Sequence, residues 1–141
     1  MSQVLQQTTT NELYLRLSDC TMRVGRGSRG RPALEVYSGY RLFHVAVAGN
    51  TLGPSLLRGA LRSRRGELPW ALAWGVIPEG QEPPHVQLRR PGFALPVPAT
   101  VFGDHFWVST VPGHYRSISV ETVDGTEAVV ERLNRMRAGR R

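Results

Sequence analysis

Residues 70–77 read Trp-Ala-Leu-Ala-Trp-Gly-Val-Ile, and this stretch decides the fold class of the 141-residue chain. Large and small side chains alternate along it with a period of two, which is typical of a β-strand because successive side chains point to opposite faces of a sheet. We expect the bulky face to lie in the core, whereas the small face leaves room for another strand layer or a partner to pack closely. The bulky face carries Trp70, Leu72, Trp74 and Val76, and the small face carries Ala71, Ala73, Gly75 and Ile77.

A second stretch, residues 43–48, alternates in the same way, and we again expect its bulky face in the core. That face carries Phe43, Val45 and Val47, and the small face carries His44, Ala46 and Ala48. Similar segments recur on both sides and are cut about every eight to twelve residues by glycine, proline or aspartate, as in antiparallel sheets. These further strand candidates span residues 13–17, 21–24, 33–37, 55–62, 85–89, 97–102, 105–111 and 115–123.

The spacing predicts an all-β or mainly β protein, built as a single antiparallel β-sandwich or partly open barrel of about seven to nine short strands. One alternative within this prediction adds a short helix at the C-terminal end of the sandwich. We divide the chain into a flexible N-terminal segment (residues 1–11), a β-sandwich domain (12–133) and an arginine-rich C-terminal tail (134–141).

Residues 126–136 fit either a strand or a helix. The preceding Asp124-Gly125 is a strong hairpin turn, so the segment can pair back onto Ile118 and Val120. As a helix it begins at Thr126 as N-cap and places Val129, Val130 and Leu133 on one stripe. We favour the helix, because the segment shows no strand-like alternation.

Composition restricts the protein class. The chain is 40% apolar and 21% charged, as in globular proteins, and its one cysteine, Cys20, cannot form an internal disulfide. Residues 1–11 do not resemble a signal peptide, and no window approaches the ~20 apolar residues of a membrane span. We therefore expect a soluble, cytoplasmic, bacterial protein without a membrane partner.

No catalytic or metal-binding pattern is recognisable, so we predict no cofactor, no metal and no catalytic residue, and we leave open whether the chain is an enzyme. The four histidines are not paired at ligand spacing, and no serine stands in a nucleophile elbow. The best alternative is a pocket near His105 and His114, with Trp107 beside them.

All 18 basic side chains are arginine, and the net charge is +7. Arginine suits bidentate phosphate recognition, but GC-rich codon usage also enriches it, so the bias alone does not show function. The last ten residues hold five of the arginines and no acid. The rest of the chain therefore carries nearly equal numbers of basic and acidic side chains. Other basic groups lie at residues 58–65 and at Arg89-Arg90.

The loop at residues 25–31 alternates glycine and arginine, but it lacks the lysine and the hydroxyl residue of a phosphate-binding P-loop. If several basic groups converge at one end of the sandwich, they form a polyanion-binding surface, with Tyr37, Tyr40 or Trp107 as stacking partners. The candidate anion- or partner-binding residues are Arg26, Arg29, Arg31, Arg62, Arg64, Arg65, Arg137, Arg140 and Arg141.

Three functions follow from these observations. The first is a non-enzymatic module that binds another protein or itself, as an adaptor, regulator or assembly subunit, because a catalytic constellation is missing and the strands have small faces. The second is arginine-mediated nucleic-acid binding, with an affinity that falls as salt rises. The third is a small enzyme or ligand-binding sandwich that uses the histidine pocket.

Overall fold

The computed structural model describes residues 5–9, 11–49 and 56–137. Fourteen strands and one 3-10 turn, Ser28–Gly30, occur in these ranges, so the prediction of a mainly β protein is confirmed and the predicted count of strands is too low. The strands are β1 (Leu5–Thr9), β2 (Glu12–Leu15), β3 (Cys20–Arg26), β4 (Pro32–Ser38), β5 (Arg41–Val47), β6 (Gly59–Arg62), β7 (Trp70–Val76), β8 (His85–Arg90), β9 (Phe93–Val97), β10 (Thr100–Phe102), β11 (Phe106–Pro112), β12 (Ser117–Glu121), β13 (Ala128–Arg132) and β14 (Asn134–Arg135).

The strands form three sheets. The first has the order β1-β2-β3-β4-β5, the second β10-β11-β7-β6-β14, and the third β13-β12-β8-β9. Neighbouring strands are antiparallel except for β14, which pairs in parallel with β6. Hairpins therefore build most of the protein, and one long-range parallel pair ties its C-terminal part to the second sheet.

Strand β7 takes part in two hydrophobic cores, because its residues are buried on both faces. The bulky face packs with buried side chains of the first sheet in one core, and the small face packs with the third sheet in another. The second sheet thus contributes side chains to both cores, and the division of residues 70–77 into two faces is confirmed. Buried residues of the third sheet share a core with the small face. Trp70, Leu72, Trp74 and Val76 belong to the first core, and Ala71, Ala73 and Ile77 to the second.

The expected orientation of the other alternating stretch is wrong. Phe43 and Val45 are 37% and 45% exposed, whereas Ala46 is fully buried against the second sheet. The ring of Trp74 lies 6.3 Å from that of Phe43 and 5.3 Å from that of His44. The inner face of β5 therefore carries His44 and the buried Ala46, and Val45 faces outward.

The helix favoured for residues 126–136 is also wrong, since this segment forms β13 and β14. Asp124 accepts hydrogen bonds from the backbone N–H and the hydroxyl of Thr126, at 3.0 and 2.7 Å, and this turn directs the chain back along β12. No helix in the described part of the chain is long and apolar enough to cross a membrane.

Both ends of the described chain take part in the sheets. Residues 5–9, within the segment expected to be flexible, pair with β2. In the expected C-terminal tail, Asn134 and Arg135 form β14, and Met136 is only 8% exposed in the first core.

His44 lies on the inner side of β5 beside Trp74, and its Nε2 atom is buried without a hydrogen-bond partner among the described residues. Burial lowers the pKa of His44, and the nearby charge of Arg58 lowers it further. The unfolded chain therefore binds a proton at this position more readily than the folded chain.

We expect His44 to make the protein less stable in acid. Because its folded pKa is depressed, stability is lost as the pH falls from the unfolded value of about 6.5 toward the folded pKa. The substitution His44→Phe should reduce the drop in melting temperature between pH 7.5 and pH 5.0. His114→Phe, at an exposed histidine, serves as the control and should keep the wild-type drop. An unchanged drop in His44→Phe would contradict the assignment.

Candidate polyanion-binding site

Five arginines surround one concavity of about 690 Å³, at one end of the third sheet. We call it the arginine concavity. None of its described lining residues is acidic. The lining consists of Arg62, Arg89, Arg90, Arg116 and Arg132 together with Pro91, Gly92, Phe93, Ala94, Ser117 and Leu133.

The register of the third sheet places part of this lining in a single row. Arg132 of β13 pairs with Ser117 of β12, Ser117 pairs with Arg89 of β8, and Arg89 pairs with Ala94 of β9. Directly paired residues project to the same face of a sheet, so Arg132 and Arg89 flank the small Ser117. Arg132 and Arg89 thus lie on one face of the third sheet, on either side of a small polar side chain.

Backbone hydrogen bonds fix the remaining arginines against this row. The N–H of Arg116 donates to the carbonyl of Arg89 at 2.8 Å, and the N–H of Leu133 donates to the carbonyl of Arg116 at 2.9 Å. Arg62, the last residue of β6, accepts at its carbonyl a bond of 2.8 Å from the N–H of Met136. The guanidinium groups therefore stand on backbone positions that the sheets hold in place.

The charges of the concavity are not neutralised by the described acids. The two ion pairs of the described chain, Arg23–Glu12 and Arg64–Glu67, lie outside the lining. Arg62 is half-buried, and its Nε atom is buried without a hydrogen-bond partner among the described residues. Burial lowers the pKa of Arg62, and four surrounding cations lower it further, namely Arg135, Arg116, Arg65 and Arg132. An anion entering the concavity relieves this repulsion.

One wall of the concavity is aromatic. The guanidinium carbon of Arg90 lies 4.7 Å from the centre of the Phe93 ring and 5.6 Å from that of Tyr115. Both distances are in the range of cation–π interaction. Tyr115 is buried, whereas Phe93 remains 43% exposed. Phe93 therefore offers ring surface to a ligand in the concavity.

The residues predicted at 62–65 have different environments. Arg62 lines the concavity, and Arg65 is close enough for its charge to affect the pKa of Arg62. Arg64 instead connects three parts of the protein. It donates to the carbonyl of Arg137 at 2.8 Å and to the hydroxyl of Ser38 at 3.3 Å, and it pairs with the carboxylate of Glu67 at 3.4 Å. These contacts give Arg64 a structural role.

The other predicted arginines are not brought to the concavity. Arg26, Arg29 and Arg31 lie at the β3–β4 hairpin, where Arg26 donates to the carbonyl of Gly30 at 3.0 Å. Arg137 is exposed and does not line the concavity, and Arg140 and Arg141 lie outside the described residues. Among the nine arginines predicted as anion- or partner-binding residues, Arg62 is therefore the one found in the described lining of the concavity.

Sequence reasoning missed Arg116 and Phe93. Arg116 stands alone before β12, and only its backbone bond to Arg89 brings it into the site. Phe93 follows the Pro91-Gly92 turn and has no alternating pattern that marks it as exposed. One sequence feature could have indicated this site. Arg89-Arg90 directly precedes a turn formed by proline and glycine, and such a turn keeps the two adjacent charges at the end of a hairpin.

The environment of Trp107 does not support the predicted pocket near His105 and His114 in the described part of the chain. Trp107 is fully buried, and its indole N–H donates to the carbonyl of Leu56 at 2.7 Å, so it offers no surface to a ligand. His105 and His114 are exposed, and neither lines the arginine concavity. A second cavity, of about 580 Å³, also lacks all three residues and is lined instead by four prolines, two glutamates and His85 among others.

The described residues contain no group of three or more histidine, cysteine, aspartate or glutamate side chains placed to hold a metal ion. Cys20 is buried, and burial raises the pKa of its thiol, which keeps it in the less reactive protonated form.

The arginine concavity has the chemistry of a binding surface. Guanidinium groups donate bidentate hydrogen bonds to phosphate oxygens, and the hydroxyl of Ser117 adds a further polar group to the lining. This interpretation rests on the residues of the site itself, because no family model, curated protein or solved structure matches the chain.

Proposed function

We propose that this protein binds nucleic acid through the arginine concavity. The observation that carries the proposal is the meeting of five arginines in one concavity without an acidic residue in its described lining. Arginine is weakly hydrated and always charged, so it binds phosphate at a smaller desolvation cost than lysine does. Release of counterions from the phosphate backbone supplies the main driving force.

The size of the concavity favours a chain of phosphates over a single anion. Its volume of about 690 Å³ greatly exceeds that of one phosphate group, and its arginines come from the second and the third sheet. Arg65 and Arg135, which act on the pKa of Arg62, extend the positive field beyond the lining. A polyanion fits this extended distribution of charge better than a small ligand does.

The proposal is tested by fluorescence anisotropy with a labelled oligonucleotide of mixed sequence at several salt concentrations. If three to five phosphates contact the concavity, the affinity should fall by roughly 20- to 100-fold between 50 and 200 mM salt. A nuclease-treated preparation that shows no binding at 50 mM salt, or binding that does not respond to salt, would reject the proposal.

Binding of another protein, or of a second copy of this chain, is the second candidate function. Its support is a group of exposed apolar side chains on and beside β5, the edge strand of the first sheet. Light scattering on the purified chain at low and high salt tests it, and a monomer at all concentrations would count against self-association. The exposed side chains are Tyr40, Leu42, Phe43 and Val45.

We further propose that the three sheets are arranged as stacked β-sandwich layers and that the protein acts in a bacterial cytoplasm. Buried clusters shared by the first and second sheets and by the second and third sheets support the layered arrangement. The free thiol of Cys20 is compatible with a reducing compartment.

A further inference from the structure

We infer that the arginine concavity selects single-stranded over double-stranded nucleic acid, by stacking an unpaired base on Phe93. The inference rests on the proposed function and adds the class of nucleic acid to it. Its physical basis is the position of one partly exposed aromatic ring in a lining that also holds five arginines.

The β8–β9 hairpin holds Phe93 at this place. Arg90 and Phe93 are paired across a two-residue turn, in which Gly92 adopts a φ of 73° that favours glycine. Neither residue depends on a flexible loop for its position. The turn therefore presents a cation and an aromatic ring side by side at the edge of the concavity.

Arg90 and Tyr115 orient the exposed ring. The guanidinium of Arg90 lies over Phe93 at 4.7 Å and also contacts the buried Tyr115, which connects the exposed ring to the core. This contact leaves 43% of the Phe93 side chain exposed, so part of the ring is open to a ligand. A base stacking on this surface forms a continuous stack with the ring and the guanidinium.

The chemistry of the ligand decides between single and double strands. In a duplex the faces of the bases are covered by their neighbours, and only phosphates and base edges reach a protein surface. In a single strand a base can turn out and stack on an aromatic side chain while the adjacent phosphates contact arginines. Phe93 among five arginines matches the second arrangement.

Three labelled probes of equal length test the inference: oligothymidine, the same sugar-phosphate backbone without bases, and a duplex of mixed sequence. Wild-type protein should bind oligothymidine about tenfold more tightly than the abasic strand, in line with the contribution of one stacked base. It should also bind oligothymidine more tightly than the duplex. Anisotropy titrations at fixed salt give the three dissociation constants.

Variants at Phe93 separate stacking from charge. Phe93→Leu keeps an apolar side chain without a ring, so it should bring the ratio of abasic to oligothymidine dissociation constants close to one. Phe93→Tyr should keep the wild-type ratio. Phe43→Leu, the same change at a partly exposed phenylalanine on β5, is the matched control and should also keep it.

The outcomes distinguish this inference from the proposed function. If no probe binds in a salt-dependent manner, the proposed function fails and the inference fails with it. If wild-type protein binds all three probes equally, or if Phe93→Leu keeps the wild-type ratio, nucleic-acid binding stands and base stacking on Phe93 is rejected.

Discussion

Replacement of Arg62, Arg116 and Arg132 by glutamine in one variant should weaken oligonucleotide binding at 50 mM salt by roughly 100-fold, since each exposed charge-assisted contact is worth on the order of 1 kcal/mol. Glutamine keeps a shorter polar side chain and removes the positive charge together with the guanidinium donors. The slope of affinity against salt should also fall, because fewer counterions are released. Anisotropy titrations at three salt concentrations measure both quantities.

The matched control removes the same number of charges elsewhere. Arg26, Arg29 and Arg31 at the β3–β4 hairpin do not line the concavity, so their replacement by glutamine should change the affinity only about threefold or less through the general field of the protein. Equal losses in both triple variants would show that net charge, and not the concavity, attracts the ligand. A loss confined to the hairpin variant would move the site to that loop.

The variant of the concavity should not unfold the protein. Burial and neighbouring cations both lower the pKa of Arg62, which means that its charged form is disfavoured in the folded state. Removing that charge relieves repulsion, so we expect a melting temperature equal to or above that of the wild type. Stability sacrificed at a site in this way is typical of functional residues.

Gly75→Ala should lower the free energy of unfolding by about 3–5 kcal/mol, a large part of the total stability of a domain of this size. A methyl group at position 75 would overlap the carbonyl oxygen of Leu56 and lie 2.6 Å from Nε1 of Trp107. These two atoms form the hydrogen bond of the fully buried Trp107 side chain. Both the bond and the packing between the second and third sheets would therefore be disturbed. Urea denaturation followed by tryptophan fluorescence measures the change.

Gly25→Ala is the matched control, since Gly25 also lies within a strand. There the added methyl group meets the flexible carboxylate of Glu35, at 3.1 Å from Oε2, and this side chain can move aside. We expect a change of less than about 1 kcal/mol, partly offset by the lower entropy of the unfolded alanine chain. Equal losses in the two variants would show that strand glycines in general, and not the Trp107–Leu56 contact, determine the effect.

The sequence predicted β7 well and β5 badly for the same reason. Alternation defines two faces of a strand but does not say which one points inward. In β7 both faces are buried, so the prediction that the bulky face lies in a core was correct without knowledge of which face points inward. In β5 the choice mattered, because the face with Ala46 is buried and the face with Val45 is exposed, and the sequence of β5 alone does not say which sheet packs against it.

The sequence did not predict the C-terminal strands or the membership of the site, because both depend on pairing between distant parts of the chain. Residues 128–135 have weak local preferences, and their structure is set by β12 and by the parallel partner β6. The possibility that separate basic groups converge was visible in the sequence, but which of them converge was not. The register between β8, β12 and β13 selects Arg89 and Arg132, and a backbone bond adds Arg116.

The arginine concavity is assembled from parts of the chain that a ribosome makes at different times. Arg62 ends β6, Arg89 and Arg90 end β8, and Arg132 ends β13. During synthesis these cations emerge one group after another: β8 gains its neighbour β12 only after residue 121 has been added, and β12 gains its neighbour β13 only after residue 132. The complete concavity, which includes Leu133, therefore forms later than any of the strands that build its first walls.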